Sequence, residues 1–320
     1  MDPKQFFTAS RLIIVAGKGG VGKTTVTAAL ASAAADEGLS VLAVEVEPDG
    51  ALARCMNLAP STYDGQPLRA GVYGRSITAD QALRDYLHDH GLKRLGNRLF
   101  ANGTLDVIAT AAPGIEDILV LGKVKSLEKS GDVDLIVLDA PAAGHAITFL
   151  QSAAGLADAV SAGPISTQAR DVLEMLGDPE RCQVILVTLA EETPVNEAIQ
   201  TAYALEERVG VSLGPVVVNG CYASVKLPAQ PLHESPLHES PLQESTHAWT
   251  TDAGELAVLE SARRFRCDRM ALQESQLARL SSELALAQLR LPFVSGPAIG
   301  PTEVALLSSC LRSQINELVL

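Results

Sequence analysis

The chain has 320 residues, 47% of them apolar, which is enough for a substantial α/β core. A formal net charge of −13 with no basic cluster argues against nucleic-acid binding and against lysine-driven attachment to a membrane surface. Five widely spaced cysteines without a C-x-x-C pair suit reduced thiols in a cytoplasmic protein, and the short N-terminal apolar run suits neither a leader peptide nor a membrane span.

In chain order, Arg11 to Ala16 (RLIIVA) is predicted as a buried strand, and Lys23 to Glu37 as an alanine-rich helix that Gly38 ends. Between them Gly17 to Thr25 (GKGGVGKTT) completes the phosphate-loop pattern G-x-x-x-x-G-K-T and carries an extra lysine, Lys18, after its first glycine. Glycines let backbone N–H groups close on an anion, and a helix N-terminus adds partial positive charge. Gly17, Gly19, Gly20, Val21, Gly22 and Thr25 thus form the cradle for a nucleotide, Lys23 holds its β- and γ-phosphates, and Thr24 offers a hydroxyl to Mg²⁺.

Val41 to Val46 is predicted as a second strand, with further strands at Leu105 to Ala109, Leu135 to Leu138, Val184 to Val187 and Val216 to Val218. Strands alternating with helices predict a mainly parallel, doubly wound α/β sheet whose site lies at the carboxyl ends of its strands. We expect one domain over 1–320, with a mobile Pro-rich loop at about 223–250 holding the pentads PLHES, PLHES and PLQES. Asp252 to Gln288 reads as one long helix with a core-facing leucine stripe, ended by Pro292. Thr302 to Leu318 reads as a closing helix capped by Thr302.

Acids at the strand ends extend the chemistry. Glu45 and Glu47 share one side of the second strand, and Glu47 suits a carboxylate that reaches toward the γ-phosphate, with Glu45 behind it. Asp139 ends the buried strand within DVDLIVLDAPAAGH and is placed to meet Mg²⁺ or its waters, and Gly144 can offer an N–H to the γ-phosphate and move when that phosphate leaves. Asn219 ends VVVN, where an amide can donate to and accept from an adenine edge.

Taken together, GKGGVGKTT, the strand-end acids, PGIEDILVLGKV at Pro113 to Val124, DAPAAGH, VVVN and the late helix before LPFV resemble the arsenite-pump and guided-entry targeting ATPases. This is the ArsA-like branch of P-loop NTPases with the deviant Walker A (SIMIBI) loop, and the wording is most similar to the paired anion-transporting ATPases of actinobacteria. The resemblance implies Mg²⁺-dependent ATP hydrolysis by a dimer, either a homodimer or a heterodimer with a related ATPase subunit. Nucleotide state would be coupled to a transporter or membrane-protein client, in the cytoplasm or peripherally at the membrane through that partner. It assigns Lys18 to the partner subunit's nucleotide, Glu47 to the place of the water-orienting aspartate, Asp139 and Gly144 to the second switch, and Asn219 to adenine. The chain departs from the family in carrying glutamate at Glu47, a short stretch between His145 and Val184, and a lone Cys267 where targeting relatives have a zinc-binding pair. An ATP-binding scaffold with little hydrolysis and a MinD-type positioning ATPase are the alternatives.

Overall fold

In the computed structural model β1 (Leu12–Gly17) is buried at every position and runs directly into the glycine loop. The structure describes residues 1–46, 49–89, 91, 114–141, 143–159, 163–223, 253–296 and 298–318. The strand expected at Leu105 to Ala109, the pentads and Glu47 lie outside them.

After a short α1 (Pro3–Thr8) and β1 come α2 (Lys23–Asp36), β2 (Val41–Glu45), α3 (Ala51–Arg54), β3 (Gln66–Arg69), β4 (Val72–Ser76) and α4 (Ala79–Asp89). Then follow α5 (Ile115–Ser130), β5 (Leu135–Asp139), α6 (Ala143–Ala159), α7 (Pro164–Gly177), β6 (Cys182–Leu189), α8 (Glu192–Arg208) and β7 (Val216–Cys221). The described chain closes with α9 (Ala253–Glu283), β8 (Gln288–Pro292) and α10 (Pro301–Glu317).

The sheet order is β3-β4-β2-β5-β1-β6-β7-β8. Neighbours are parallel except β3 with β4. β1 lies at the switch point, because the chain leaves it for β2 on one side and later reaches β6 on the other. In a doubly wound sheet the ligand crevice opens there, beyond the carboxyl ends.

Both faces of the sheet are covered, which is why the central strands are continuously apolar rather than alternating. Leu12, Ile14 and Ala16 of β1 join a core with α5 to α9, whereas Ile13 and Val15 pack toward α1, α2 and α10. Helix α2 buries every residue from Val26 to Ala34, and its alanines and small polar residues allow close approach to the sheet and to α10. Its end is a Schellman turn: Leu39 N–H reaches Ala34 O at 3.3 Å and Gly38 N–H reaches Ala35 O at 2.9 Å, with Gly38 at φ 83°.

The C-terminal region differs from the sequence expectation. The long helix stops at Glu283, and Gln288 to Pro292 is not helical but a strand pairing with β7. Leu289 and Leu291 are buried while Gln288 and Arg290 are less so, the period-two signature of an edge strand. Leu277, Leu280 and Leu284 are core as expected, but Leu259 is half exposed and is not. The closing helix is capped not by Thr302 but by Gly300, whose N–H donates to the Glu303 carboxylate at 2.9 Å, with Pro301 in the first helical position.

Candidate functional site

Three strand ends converge on the loop after β1. In register, Val15 of β1 and Glu45 of β2 both lie beside Asp139 of β5. Gly19, Gly20, Lys23, Thr24, Glu45, Asp49, Asp139 and Ala140 line one pocket at this edge. Gly20 and Gly22 take φ values of 85° and 89°, a left-handed geometry that glycine adopts without strain. Helix α2 begins at Lys23 with no side-chain cap and no acid in its first turn, so its leading amides are available to an anion.

The Thr24 hydroxyl donates to Asp139 Oδ2 at 2.6 Å, and Thr27 donates to Oδ1 at 3.4 Å. Lys23 Nζ lies 3.4 Å from the Lys18 carbonyl, arched over the loop. Burial pushes the Asp139 carboxyl up to about 6, opposed by the Thr24 hydroxyl and the Lys23 ammonium. A buried carboxylate and a hydroxyl in contact beside a lysine are hard oxygen donors of the kind Mg²⁺ takes, so these residues fit the cation. Thr25, by contrast, turns toward the Cys55 thiol behind the loop.

Glu45 is almost fully buried. Its Oε1 accepts the Leu52 amide at 3.2 Å, which ties the strand end to the start of α3, while Oε2 has no donor. A carboxylate cannot donate, but a protonated Glu45 can give its hydrogen to Asp49, and burial followed by this bond pushes Glu45 up to about 7. Burial alone would raise Asp49 too. The Ala51 amide at 3.0 Å, the Glu45 proton and Arg54 outweigh it and hold Asp49 below the usual carboxylate range.

These shifts carry a signed consequence. The unfolded Glu45 ionises near 4.5, whereas the folded one keeps its proton to about 7. The native state therefore binds more protons in this window, and wild type loses stability as pH rises through it. Glu45→Gln, a mimic of the protonated form, should match wild type at pH 4 and exceed it in thermal stability above pH 7, by about 1–3 kcal/mol. Melting curves of the two proteins across this range check it.

Of the remaining predicted residues, Asn219 braces the loop from behind. Its Nδ2 donates to Val21 O at 3.0 Å and its Oδ1 accepts Gly220 N–H at 2.9 Å. A Cβ at Gly22 would stand 2.3 Å from that Nδ2. Gly144 lies in the first turn of α6, directly after the Asp139 turn. Gly17 is buried against β6. Lys18 does not line the pocket; its ammonium is 2.5 Å from Glu197 of α8. Asp49 and Glu197 are the site residues that sequence reasoning missed. Asp49 precedes Gly50 and reads as a turn residue, and Glu197 is far along the chain on an ordinary helix.

Comparison with known proteins agrees with this geometry. Residues 10–162 match the family model described as anion-transporting ATPase. ATPase BagA of Mycobacterium tuberculosis (strain ATCC 25618 / H37Rv) is 33% identical over 223 residues, covering 65% of this chain and 64% of that protein. An arsenical pump-driving ATPase of Escherichia coli is 30% identical over 210 residues, 65% of this chain and 34% of its own length. ATPase get3 of Schizosaccharomyces japonicus (strain yFS275 / FY16936) is 28% identical over 148 residues, 45% of this chain and 44% of its own. The match thus spans less than two thirds of these relatives' length. The family-model match includes the glycine loop, both acid-bearing strand ends and α6, and over residues 10–162 the chain is similar to the family described as anion-transporting ATPase.

Proposed function

We propose that the chain is a Mg²⁺-dependent ATPase that works as a dimer and passes its nucleotide state to a partner as a change of shape. One observation carries this reading: Thr24 and the buried Asp139 lie in hydrogen-bond contact inside the pocket that Lys23 and the glycine loop also line. Loop amides and the α2 N-terminus receive the phosphates, and Lys23 neutralises the β- and γ-oxygens. Thr24 and Asp139 would hold Mg²⁺, directly or through water, and Mg²⁺ when bound neutralises charge on the transferring phosphate. Glu47 orients the attacking water, and the Gly144 amide follows the γ-phosphate. Asn219 retains one donor and one acceptor position for adenine beyond its two loop bonds.

Lys18 is assigned to the second subunit's nucleotide. The extra lysine after the first glycine of GKGGVGKTT supports this, and its ammonium sits on Glu197 of α8. A homodimer is the default by symmetry, and a related ATPase subunit could take the second place. The partner that receives the signal is a transporter or membrane-protein client met in the cytoplasm or at the membrane surface. Among the described residues no helix is long and apolar enough to cross a membrane.

The test is ATP binding by calorimetry and single-turnover hydrolysis, with and without Mg²⁺, on wild type, Thr24→Ala and Asp139→Asn. Wild type should bind and cleave ATP only with Mg²⁺, and each variant should lose about 10²–10³-fold in the cleavage rate. Binding without cleavage in wild type would replace the enzyme by an ATP-binding scaffold.

A further inference from the structure

Lys18 and Glu197 lie 179 positions apart in sequence, yet their charged groups meet at 2.5 Å, each side chain a little over one third exposed. We propose that Glu197 is a positioning residue that seats Lys18 in cis and must release it before Lys18 can engage the nucleotide of a second subunit. The proposal rests on the assignment of Lys18 to the partner's nucleotide. An ammonium docked on its own subunit's α8 is not extended toward a neighbour, so the two arrangements exclude each other.

The anchored side of this contact is α8. Val195, Ala198, Ile199, Ala202 and Leu205 bury its inner face in the core. Its start is tied by Glu191 to Arg269 of α9 at 2.6 Å, and Asn196, the residue before Glu197, accepts from Arg279 of the same helix. Glu197 is therefore held at a fixed place beside the loop. Lys18 sits on a glycine-flanked segment and carries a flexible four-carbon stem, so release happens on its side. Closing a symmetric dimer opens two such contacts. A pair of this exposure favours the closed contact by about two- to fivefold, so the two together oppose dimerisation by roughly four- to twenty-five-fold.

The measurement is the protein concentration at half-dimerisation, read by light scattering of the full chain with Mg²⁺ and a non-hydrolysable ATP analogue. Glu197→Gln and Glu197→Lys should lower that midpoint by roughly four- to twenty-five-fold, and high salt should narrow the gap by screening the wild-type pair. Glu197→Asp, which keeps the charge, should stay nearer wild type, and Lys18→Ala combined with Glu197→Gln should behave as Lys18→Ala alone. A Glu197→Gln midpoint equal to or above wild type, with Lys18→Ala still weakening the dimer, overturns the seating role of Glu197. If Lys18→Ala dimerises as wild type does, the trans assignment fails first, and this proposal falls with it.

Discussion

Lys18→Ala should lower Mg²⁺-ATP turnover by about 10³-fold or more while changing ATP affinity only a few-fold, because a cation supplied from a second subunit acts chiefly on the transition state. Lys23 is the contrasting case. It lines the pocket and arches over the loop, so Lys23→Ala should weaken binding and cleavage together. The two lysines are five positions apart on one loop, and the split between rate and affinity is what separates their roles. Calorimetric affinities and steady-state rates on both variants check it. Equal loss of affinity in the two would place Lys18 in its own subunit's site.

Gly17→Ala should be the most damaging single methyl in the loop. The position faces Val187 of β6 in register, and an added Cβ would stand 2.3 Å from the Val187 carbonyl oxygen, a backbone atom in the centre of the sheet. A φ of 154° adds backbone strain. Strain and overpacking together should cost roughly 2–5 kcal/mol, with loss of ATP binding as β1 moves off β6. Gly155→Ala is the control: it lies within α6 with nothing within 4 Å of the added methyl and should stabilise by up to about 1 kcal/mol. Urea unfolding of the three proteins gives both numbers.

What the sequence disclosed about the site depended on whether the information was local. The loop from Gly17 to Thr25 is contiguous, so its pattern and its place at the carboxyl end of β1 were legible. Asp139 was legible because it ends a continuously apolar strand, a pattern that places an acid at the carboxyl edge. Asp49 lines the same pocket beside Glu45, which accepts the Leu52 amide, and neither contact has a sequence period. The Lys18 contact with Glu197 joins segments 179 positions apart in sequence and leaves no trace in either.

The same distinction explains the fold. Strands β1, β2, β5, β6 and β7 are buried on both faces and announce themselves as apolar runs. β3, β4 and β8 are peripheral, alternate buried with less buried positions, and include Gln66, Arg69, Arg75, Gln288 and Arg290, so their composition reads as loop or helix. β8 was further concealed because it follows α9 after a short turn, with Leu277, Leu280 and Leu284 continuing a helical spacing almost into it.

The most direct test of a dimer with a lysine exchanged between subunits is to mix Lys18→Ala with Lys23→Ala, each alone inactive and folded by melting curve, and to measure Mg²⁺-ATP turnover. In a mixed dimer one site combines an intact Lys23 with the Lys18 of the other subunit, so turnover should reappear in the mixture and grow with total protein concentration. Two folded variants that stay inactive when mixed, beside a wild type whose specific activity does not change on dilution, would contradict the account.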